Sequence, residues 1–307
     1  MEKHISVLLE ETIDSLNLKD SSVIVDCTLG YGGHSSYILS RIKQGFLFAF
    51  DQDSEAIRHS ANRLKKIGTN FTIIKSNFSN LKEELEKLDV KEVDGFLFDL
   101  GVSSPQLDED ERGFSYHNDA KLDMRMDRDN PISAYDIVNN YSKEELTNIF
   151  YKYGEDKFSR NIAKKIVEAR QEKKIETTLE LVDIIKSAVP MKFRKDKHPA
   201  RQIFQAIRIE VNHELDVIEP ALEQALSLLK VGGRVSVITF HSLEDRIVKK
   251  FFKEKTKIDP KVKGLPNIPD EFLPDFKLVC SITPSKEELE VNKRARSARL
   301  RVIERIK

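Results

Sequence analysis

The chain has 307 residues, 51 basic and 51 acidic side chains, and two cysteines in unrelated contexts. This composition excludes a disulfide-stapled secreted domain and a zinc finger, and the zero net charge means that any surface for nucleic acid must be local. The N-terminus lacks a signal-peptide core, and no apolar run approaches the roughly 20 residues of a membrane span, so we expect a cytoplasmic protein without membrane contact.

The first hundred or so residues alternate helices with strands. Amphipathic helices are predicted at 8–18, 35–42, 54–66 and 81–88, with Ser54 as an N-cap. Strands are predicted at 23–28, 45–50, 71–74 and 93–99. Strands that are apolar on both faces are typical of buried parallel sheets. The alternation therefore predicts an α/β fold with a doubly wound, mostly parallel sheet.

The pattern changes between Pro105 and Pro199, where no convincing strand occurs. Helical patterns appear instead, at 143–153, 158–173 and 178–188. The sheet rhythm then returns with helices at 203–215 and 218–229, the second closed by Gly232 and Gly233, and with a helix capped by Ser242. Further strands are predicted at 234–240, 276–282 and 300–306, with a proline-rich loop at 259–276. We therefore predict a core formed by 1–107 and 200–307, interrupted by a helical domain at 108–199.

A glycine-rich loop follows the first strand and opens a helix, over residues 26–34. Glycines let the backbone approach a ligand, and a helix N-terminus offers free N–H groups. Asp51, at the end of the second strand, suits a ribose diol. Ser35 replaces the third glycine of a dinucleotide fingerprint, and Asp26 would repel a phosphate but attract a cation. These features favour S-adenosylmethionine over NAD, and a tight turn without a ligand is the alternative.

A second polar loop, residues 99–106, begins at the carboxyl end of the fourth strand. It contains an acid, a glycine, hydroxyls and an amide, which is more polar than a turn requires. Open sheets bind ligands at such positions, beside the switch point of the strand order. The alternative is an ordinary strand-to-helix loop.

Eight motifs in order resemble those of the bacterial ribosomal RNA small subunit methyltransferase H family. They are GYGGHS (30–35), DLGVSSPQ (99–106), RGFS (112–115), LDMRMD (122–127), HPARQ (198–202), FQAIR (204–208), FHSLEDR (240–246) and RARS (294–297). Members of that family methylate N4 of a cytosine in the decoding centre of 16S ribosomal RNA, using S-adenosylmethionine. The resemblance covers nearly the whole chain, except for the loop at 259–276.

The resemblance implies a class I methyltransferase fold with a seven-stranded, mostly parallel sheet whose last strand is antiparallel. It also implies that the cofactor contacts are Gly32, Gly33, His34, Asp51, Phe78, Asp99 and Gln106. From the residues alone, Phe78 is better explained as a core side chain, and His34 is explained by a contact through its backbone only. Because the cytosine amine is a weak nucleophile, a hydrogen-bond acceptor would activate it. Asp99 is the best candidate, and either Ser103 or a backbone carbonyl of residues 100–102 could assist it.

Contacts to RNA would have to come from local basic and aromatic groups. Arg112 and Phe114 could stack on exposed bases, Arg201 and Arg208 share a polar helix stripe, and residues 293–307 are rich in Lys and Arg. We predict phosphate contacts there by Arg294, Arg296 and Arg299. A solvated surface and local packing are the alternatives. The seven histidines are scattered, so no metal site is predicted.

Three functions remain open from the sequence. The first is the RNA cytosine-N4 methyltransferase acting on 16S ribosomal RNA or the small ribosomal subunit. The second is a methyltransferase with a small-molecule or protein acceptor, and the third a non-catalytic ribosome-assembly factor. A nicotinamide oxidoreductase is disfavoured by Ser35 and Asp26, and a homodimer is left open.

Overall fold

The computed structural model describes residues 6–194, 198–258, 260, 262 and 267–307. The chain divides into two compact units, one formed by residues up to Gly101 together with Leu215–Lys307, the other by Val102–Glu214. They are called the sheet unit and the helical unit below. Among the described residues, every helix is too short or too polar to span a bilayer.

The described part of the sheet unit contains seven strands in one sheet. They are β1 (Val23–Asp26), β2 (Phe46–Asp51), β3 (Phe71–Lys75), β4 (Val93–Asp99), β5 (Leu229–Thr239), β6 (Phe276–Ile282) and β7 (Arg299–Arg305). Their spatial order is β3-β2-β1-β4-β5-β7-β6. The first five run parallel, whereas β7 is antiparallel to both β5 and β6. The expected α/β class and seven-stranded, mostly parallel sheet are confirmed.

Helices cover both faces of this sheet because its central strands are apolar on both sides. They are α1 (Leu9–Ser15), α2 (Gly33–Arg41), α3 (Ser54–Leu64), α4 (Leu81–Glu86), α11 (Ile218–Ser227), α12 (Ser242–Lys255) and α13 (Lys286–Val291), numbered with those of the helical unit. One core cluster joins Phe50, Phe96 and Phe98 to α4, α11 and α12. Another joins Ile24 and Leu97 to α1, α2 and α3. Alternate residues of each strand thus enter opposite cores, as the pleat requires.

The helical unit contains α5 (Ser104–Asp108), α6 (Ala134–Asn140), α7 (Lys143–Gly154), α8 (Ser159–Glu172), α9 (Thr178–Ala188) and α10 (Ala200–Asn212). Its extent is wider than the predicted 108–199, because α10 packs on α7 within it. A Cβ at Gly154 of α7 would lie 3.0 Å from the Gln202 carbonyl oxygen of α10. In the described residues of this unit, β-pairing is limited to one isolated bridge, between Lys121 and Thr177.

Three local predictions were wrong. Gly232 and Gly233 do not close α11, which ends at Ser227; they lie inside β5, where the register against β4 shifts and Gly232 has a φ of 83°. The N-cap of α3 is Asp53, whose side chain accepts from the Glu55 N–H at 2.9 Å, instead of Ser54. The N-cap of α12 is His241, instead of Ser242. In both α3 and α12, the side chain one residue before the predicted cap accepts from an N–H group of the first turn.

Candidate functional site

Three carboxylates end neighbouring strands at one edge of the sheet. Asp26, Asp51 and Asp99 are the last residues of β1, β2 and β4, which are adjacent and parallel. The strand order reverses between β1 and β4, so the edge is a topological switch point, where open α/β sheets bind ligands. The fold therefore brings together the acids that the sequence analysis singled out in three separate segments.

The loop between β1 and α2 is closed onto β2 by backbone bonds. Leu29 N–H donates to the Phe50 carbonyl at 2.8 Å, and Gly30 N–H donates to Asp51 Oδ2 at 2.7 Å. Gly32 is the N-cap of α2 with a φ of 75°, a conformation that favours glycine. Gly32 provides no side-chain cap for α2. The N–H groups of the first turn of α2 therefore suit an anionic or polar group of a ligand.

Gly33 has a close neighbour in another segment. A Cβ at this position would lie 1.8 Å from Ser6 Oγ, so a larger residue here would require the Ser6 side chain to move. The segment before α1 therefore packs directly against the start of α2. The predicted cofactor contact of Gly33 stays a prediction.

The sequence analysis expected Asp26 to attract a cationic ligand. In the structure, however, Asp26 does not present a free carboxylate. Its side chain is buried, with Oδ1 accepting from Thr28 N–H at 3.0 Å and Oδ2 from Ser35 Oγ at 2.6 Å. Burial raises the pKa of Asp26, and the bond from Ser35 lowers it. Ser35, the residue that replaces the third glycine, therefore supplies the hydroxyl that satisfies this acid.

Asp51 is held by the backbone on both oxygens. Oδ2 accepts from Gly30 N–H, and Oδ1 accepts from Asp53 N–H at 2.8 Å. Burial raises the pKa of Asp51 to about 6, against the lowering effect of these two bonds. A carboxylate oxygen has two lone pairs, so each can accept one further hydrogen bond. Asp51 therefore fits a pair of ribose hydroxyls.

Asp99 lies beside the imidazole of His34. Asp99 Oδ2 is 3.5 Å from His34 Nδ1, and the Asp99 N–H donates to Thr28 Oγ1 at 2.6 Å. Asp99 Oδ1 is buried and has no hydrogen-bond partner among the described residues. A buried, unpartnered carboxylate oxygen is costly unless a ligand donor completes it. This atom fits an N–H of a cofactor or an acceptor base.

Phe78 follows β3 in a short 3-10 turn and packs edge-on against Phe98, with ring centroids 5.7 Å apart. It is partly buried against the core that contains Phe50 and Phe96. The ring therefore has the core role that the sequence analysis weighed, and its partial exposure leaves area for an apolar ligand group.

Ser103 and Gln106 lie in the helical unit, around the start of α5. Gln106 Oε1 accepts from Ser103 N–H at 3.0 Å, and Ser103 Oγ accepts from Gln106 N–H at 3.4 Å. This reciprocal pair is the arrangement of a capping box. It gives both side chains a local structural role, and their predicted roles in catalysis and cofactor binding stay predictions.

The two residues that were predicted to stack on bases are both buried. Arg112 is 3% exposed, and its guanidinium donates to the carbonyls of Arg125 and Met126 at 3.0 and 3.2 Å. Phe114 is 5% exposed, with the Arg112 guanidinium 5.8 Å from its ring centroid. The expectation that they stack on exposed bases was wrong, because both are packed inside the helical unit.

The polar stripe of α10 is also largely internal. Arg208 forms a two-pronged ion pair with Glu214, with both N–O distances 2.8 Å, so its charge is already neutralised. Gln205 and Asn212 donate to backbone carbonyls of the same unit. We predicted that Arg208 contacts RNA. In the structure, its guanidinium instead forms an ion pair with Glu214. Arg201, in contrast, is exposed.

The C-terminal arginines lie at the same sheet edge as the three acids. Antiparallel pairing puts Arg299 opposite Thr239, at the carboxyl end of β5. Arg294 and Arg296 are exposed in the turn just before β7. Arg299 is partly exposed and 4.0 Å from Asp245, the carboxylate that Arg301 binds at 2.7 Å. The edge thus carries basic groups beside its acidic centre.

Sequence analysis gave no role to one buried pair at this edge. Glu244, 1% exposed, accepts from the N–H groups of Phe240 and His241 at 2.7 and 3.2 Å, and its Oε1 is 3.1 Å from His241 Nε2. A Cβ at Gly101 would lie 3.7 Å from the same Oε1. The pair therefore holds the turn after β5, next to Gly101 in the turn after β4. The His-x-x-Glu spacing at a helix start was the available signal.

Comparison with known proteins gives one family over the whole chain. The model of the family described as the MraW methylase family matches residues 1–306. Among solved structures, the chain is similar to an rRNA methylase from Streptococcus thermophilus, with 13% identity, 99% of this chain and 100% of that chain covered, and a TM-score of 0.47. It is also similar to a Streptococcus mutans protein described as a methyltransferase, in complex with SAH (14% identity; 98% and 99% covered; TM-score 0.47).

Proposed function

Because the chain belongs to the MraW methylase family and is an S-adenosylmethionine-dependent methyltransferase, we propose that it methylates N4 of a cytosine in the decoding centre of 16S ribosomal RNA. The observation that carries the proposal is the family match over residues 1–306, joined to the unpartnered Asp99 Oδ1 at the switch point. The eight motifs that resemble the cytosine-N4 methyltransferases support the finer assignment of base and atom.

The residues at the sheet edge fit this cofactor. Asp51 would accept from the ribose hydroxyls, the loop through Gly32 would contact the methionine end, and Phe78 would pack on the adenine. When bound, S-adenosylmethionine supplies a methyl group on a positively charged sulfur. The carboxyl groups of Asp51 and Asp99 favour such a cation over an anionic ligand, since opposite charges attract more strongly in partly buried sites than in water.

Asp99 has the central role in the proposed reaction. Its carboxylate accepts a hydrogen bond from the cytosine amine, which orients the nitrogen and localises its lone pair toward the methyl group. Methyl transfer is an in-line displacement, so alignment of this kind is a large part of catalysis. The amine proton becomes acidic as the nitrogen is alkylated and passes to water, without a strong base.

The direct test is methyl transfer from labelled S-adenosylmethionine into naked 16S ribosomal RNA, isolated small subunits and whole ribosomes. Nucleoside analysis of the product identifies the base and the atom. We expect N4-methylated cytidine from at least one of the ribosomal substrates. Methylation of a different base or atom would overturn the assignment, and a protein that binds the cofactor without modifying any RNA would favour an assembly factor.

Asp51 gives cofactor binding a characteristic dependence on pH. Its pKa is raised to about 6, and ribose hydroxyls donate to the ionised carboxylate. Affinity should therefore fall as the pH falls through about 6, by up to tenfold per unit. Calorimetry with S-adenosylhomocysteine between pH 5 and 7 measures this. Asp51→Ala should weaken binding ten- to a hundredfold at pH 7 and remove the dependence; an unchanged affinity would exclude Asp51 from the site.

The terminal arginines should contribute to RNA affinity. Replacing Arg294, Arg296 and Arg299 by glutamine removes up to three phosphate partners, so binding should weaken and the salt slope should fall by about 0.7 per lost contact on single-stranded RNA. A matched control neutralises Lys43, Lys65 and Lys66, which are exposed near the opposite sheet edge. Equal effects of both triple variants would show that the arginines act only through net charge.

A further inference from the structure

His34 lies at the first turn of α2 with an oxygen acceptor beside each ring nitrogen. Nε2 is 3.1 Å from the Val7 carbonyl oxygen, and Nδ1 is 3.5 Å from Asp99 Oδ2, an ion-pair distance. The side chain is only 5% exposed, so water does not readily replace either partner. Both acceptors belong to the sheet unit, one before α1 and the other at the end of β4.

The number of protons on the ring follows from these partners. A neutral imidazole carries one N–H and can serve only one of two acceptors, whereas an imidazolium carries two. A carbonyl oxygen cannot donate, and an ionised carboxylate cannot donate either. The arrangement is therefore complete when His34 is protonated and Asp99 is ionised.

The charges around the ring act in the same direction. Burial lowers the pKa of His34, but the hydrogen bond and charge of Asp99, the charge of Asp26 and the Val7 carbonyl outweigh it, so the pKa is raised. His34 in turn lowers the pKa of Asp26. These acids are the charged groups that face His34 from β1 and β4.

We infer that His34 is a positioning residue, whose protonated ring holds Asp99 Oδ2 and directs the unpartnered Oδ1 toward N–H groups of both the bound cofactor and the cytosine amine. The role deepens the proposed function, since it acts through Asp99. It goes beyond a backbone contact by His34, because it requires the imidazole and its proton.

The protonation state can be measured without any enzymatic activity. NMR of the full chain with ¹⁵N-labelled histidine gives the ring signals, and those of His34 are assigned by their loss in His34→Gln. We expect the imidazolium signals of His34 to persist to a higher pH than those of an ordinary histidine, because its pKa is raised. A ring that is already neutral above the ordinary histidine pKa would overturn the inference. A second variant, His34→Asn, supplies the assignment if His34→Gln folds poorly.

The binding test uses S-adenosylhomocysteine and the pH profile. Glutamine keeps one neutral donor, so His34→Gln should bind about tenfold more weakly at pH 7. Wild-type affinity should decrease as the pH rises through the raised pKa of His34 and the ring loses its proton, whereas the variant should show no such decrease. His117→Gln, which removes an exposed histidine of the helical unit, is the matched control and should keep the wild-type profile.

A merely structural role for His34 would lower the affinity of the variant but leave a wild-type profile that is flat above pH 7, and this outcome would overturn the inference. Failure of the proposed function is a separate result. It would appear as an unmethylated RNA with the binding profile and the ring protonation intact.

Discussion

Single-turnover methylation is expected to slow about 100- to 1000-fold in Asp99→Asn at saturating S-adenosylmethionine. The substitution keeps the shape of the side chain but removes its charge, and the amide can present an N–H to the N–H of the cytosine amine. By analogy with oxyanion-hole deletions, the loss of such a transition-state interaction costs about 2.7–4 kcal/mol. RNA affinity should change little, because the other contacts to the substrate remain.

The matched control is Asp94→Asn in the same strand. Asp94 lies near the amino end of β4, where it accepts from Val23 N–H at 2.8 Å and faces Lys230 at 3.2 Å. Its loss should affect stability and leave the single-turnover rate of the folded protein intact. An Asp99→Asn rate within about threefold of wild type would leave Asp99 as a cofactor ligand without a catalytic role.

Gly113→Ala should destabilise the helical unit by about 2–5 kcal/mol. Gly113 has a φ of 69°, and a Cβ there would lie 2.3 Å from the Lys121 carbonyl oxygen and 3.0 Å from the Asp123 nitrogen. The left-handed conformation costs about 1–2 kcal/mol for a residue with a side chain, and forcing backbone apart adds about 1–3 kcal/mol. Hydrogen exchange during urea unfolding of the full chain measures the stability of the helical unit separately from that of the sheet unit.

Gly232→Ala separates the two contributions. Gly232 has a φ of 83°, but no atom lies within 4 Å of the position of its Cβ. This variant should therefore lose only the conformational part, about 1–2 kcal/mol, from the sheet unit. Equal losses at the two glycines would show that the close approach to Lys121 relaxes freely.

The parallel sheet was predictable because its signal is local. The apolar runs at β1, β2 and β4 and the helices between them are contiguous in sequence, and β4 was predicted with its observed bounds. Chain connectivity then leaves few ways to arrange the strands, so the switch point and its carboxylates followed. The start of β5 was missed because Gly232 and Gly233 are typical of helix ends, and only the pairing with β4 shows that they lie within a strand.

The surface predictions depended on burial, which composition does not reveal. Arg112, Phe114 and Arg208 have the residue types of an RNA contact, yet each is enclosed or ion-paired within the helical unit. Arg294 and Arg296 have the same types and are exposed. The difference arises from partners distant in sequence, such as the carbonyls of Arg125 and Met126 for Arg112.

The sequence by itself determined the fold class, the family and the ends of the strands where Asp51 and Asp99 lie, because these depend on local patterns and ordered motifs. Only the tertiary structure decided which polar groups are free. In the structure, Ser35 donates to Asp26 and Ser6 packs against Gly33, whereas Asp99 Oδ1 has no partner among the described residues. The physical reason is that hydrogen bonding and burial are properties of groups brought together by folding, across separations that no local pattern records.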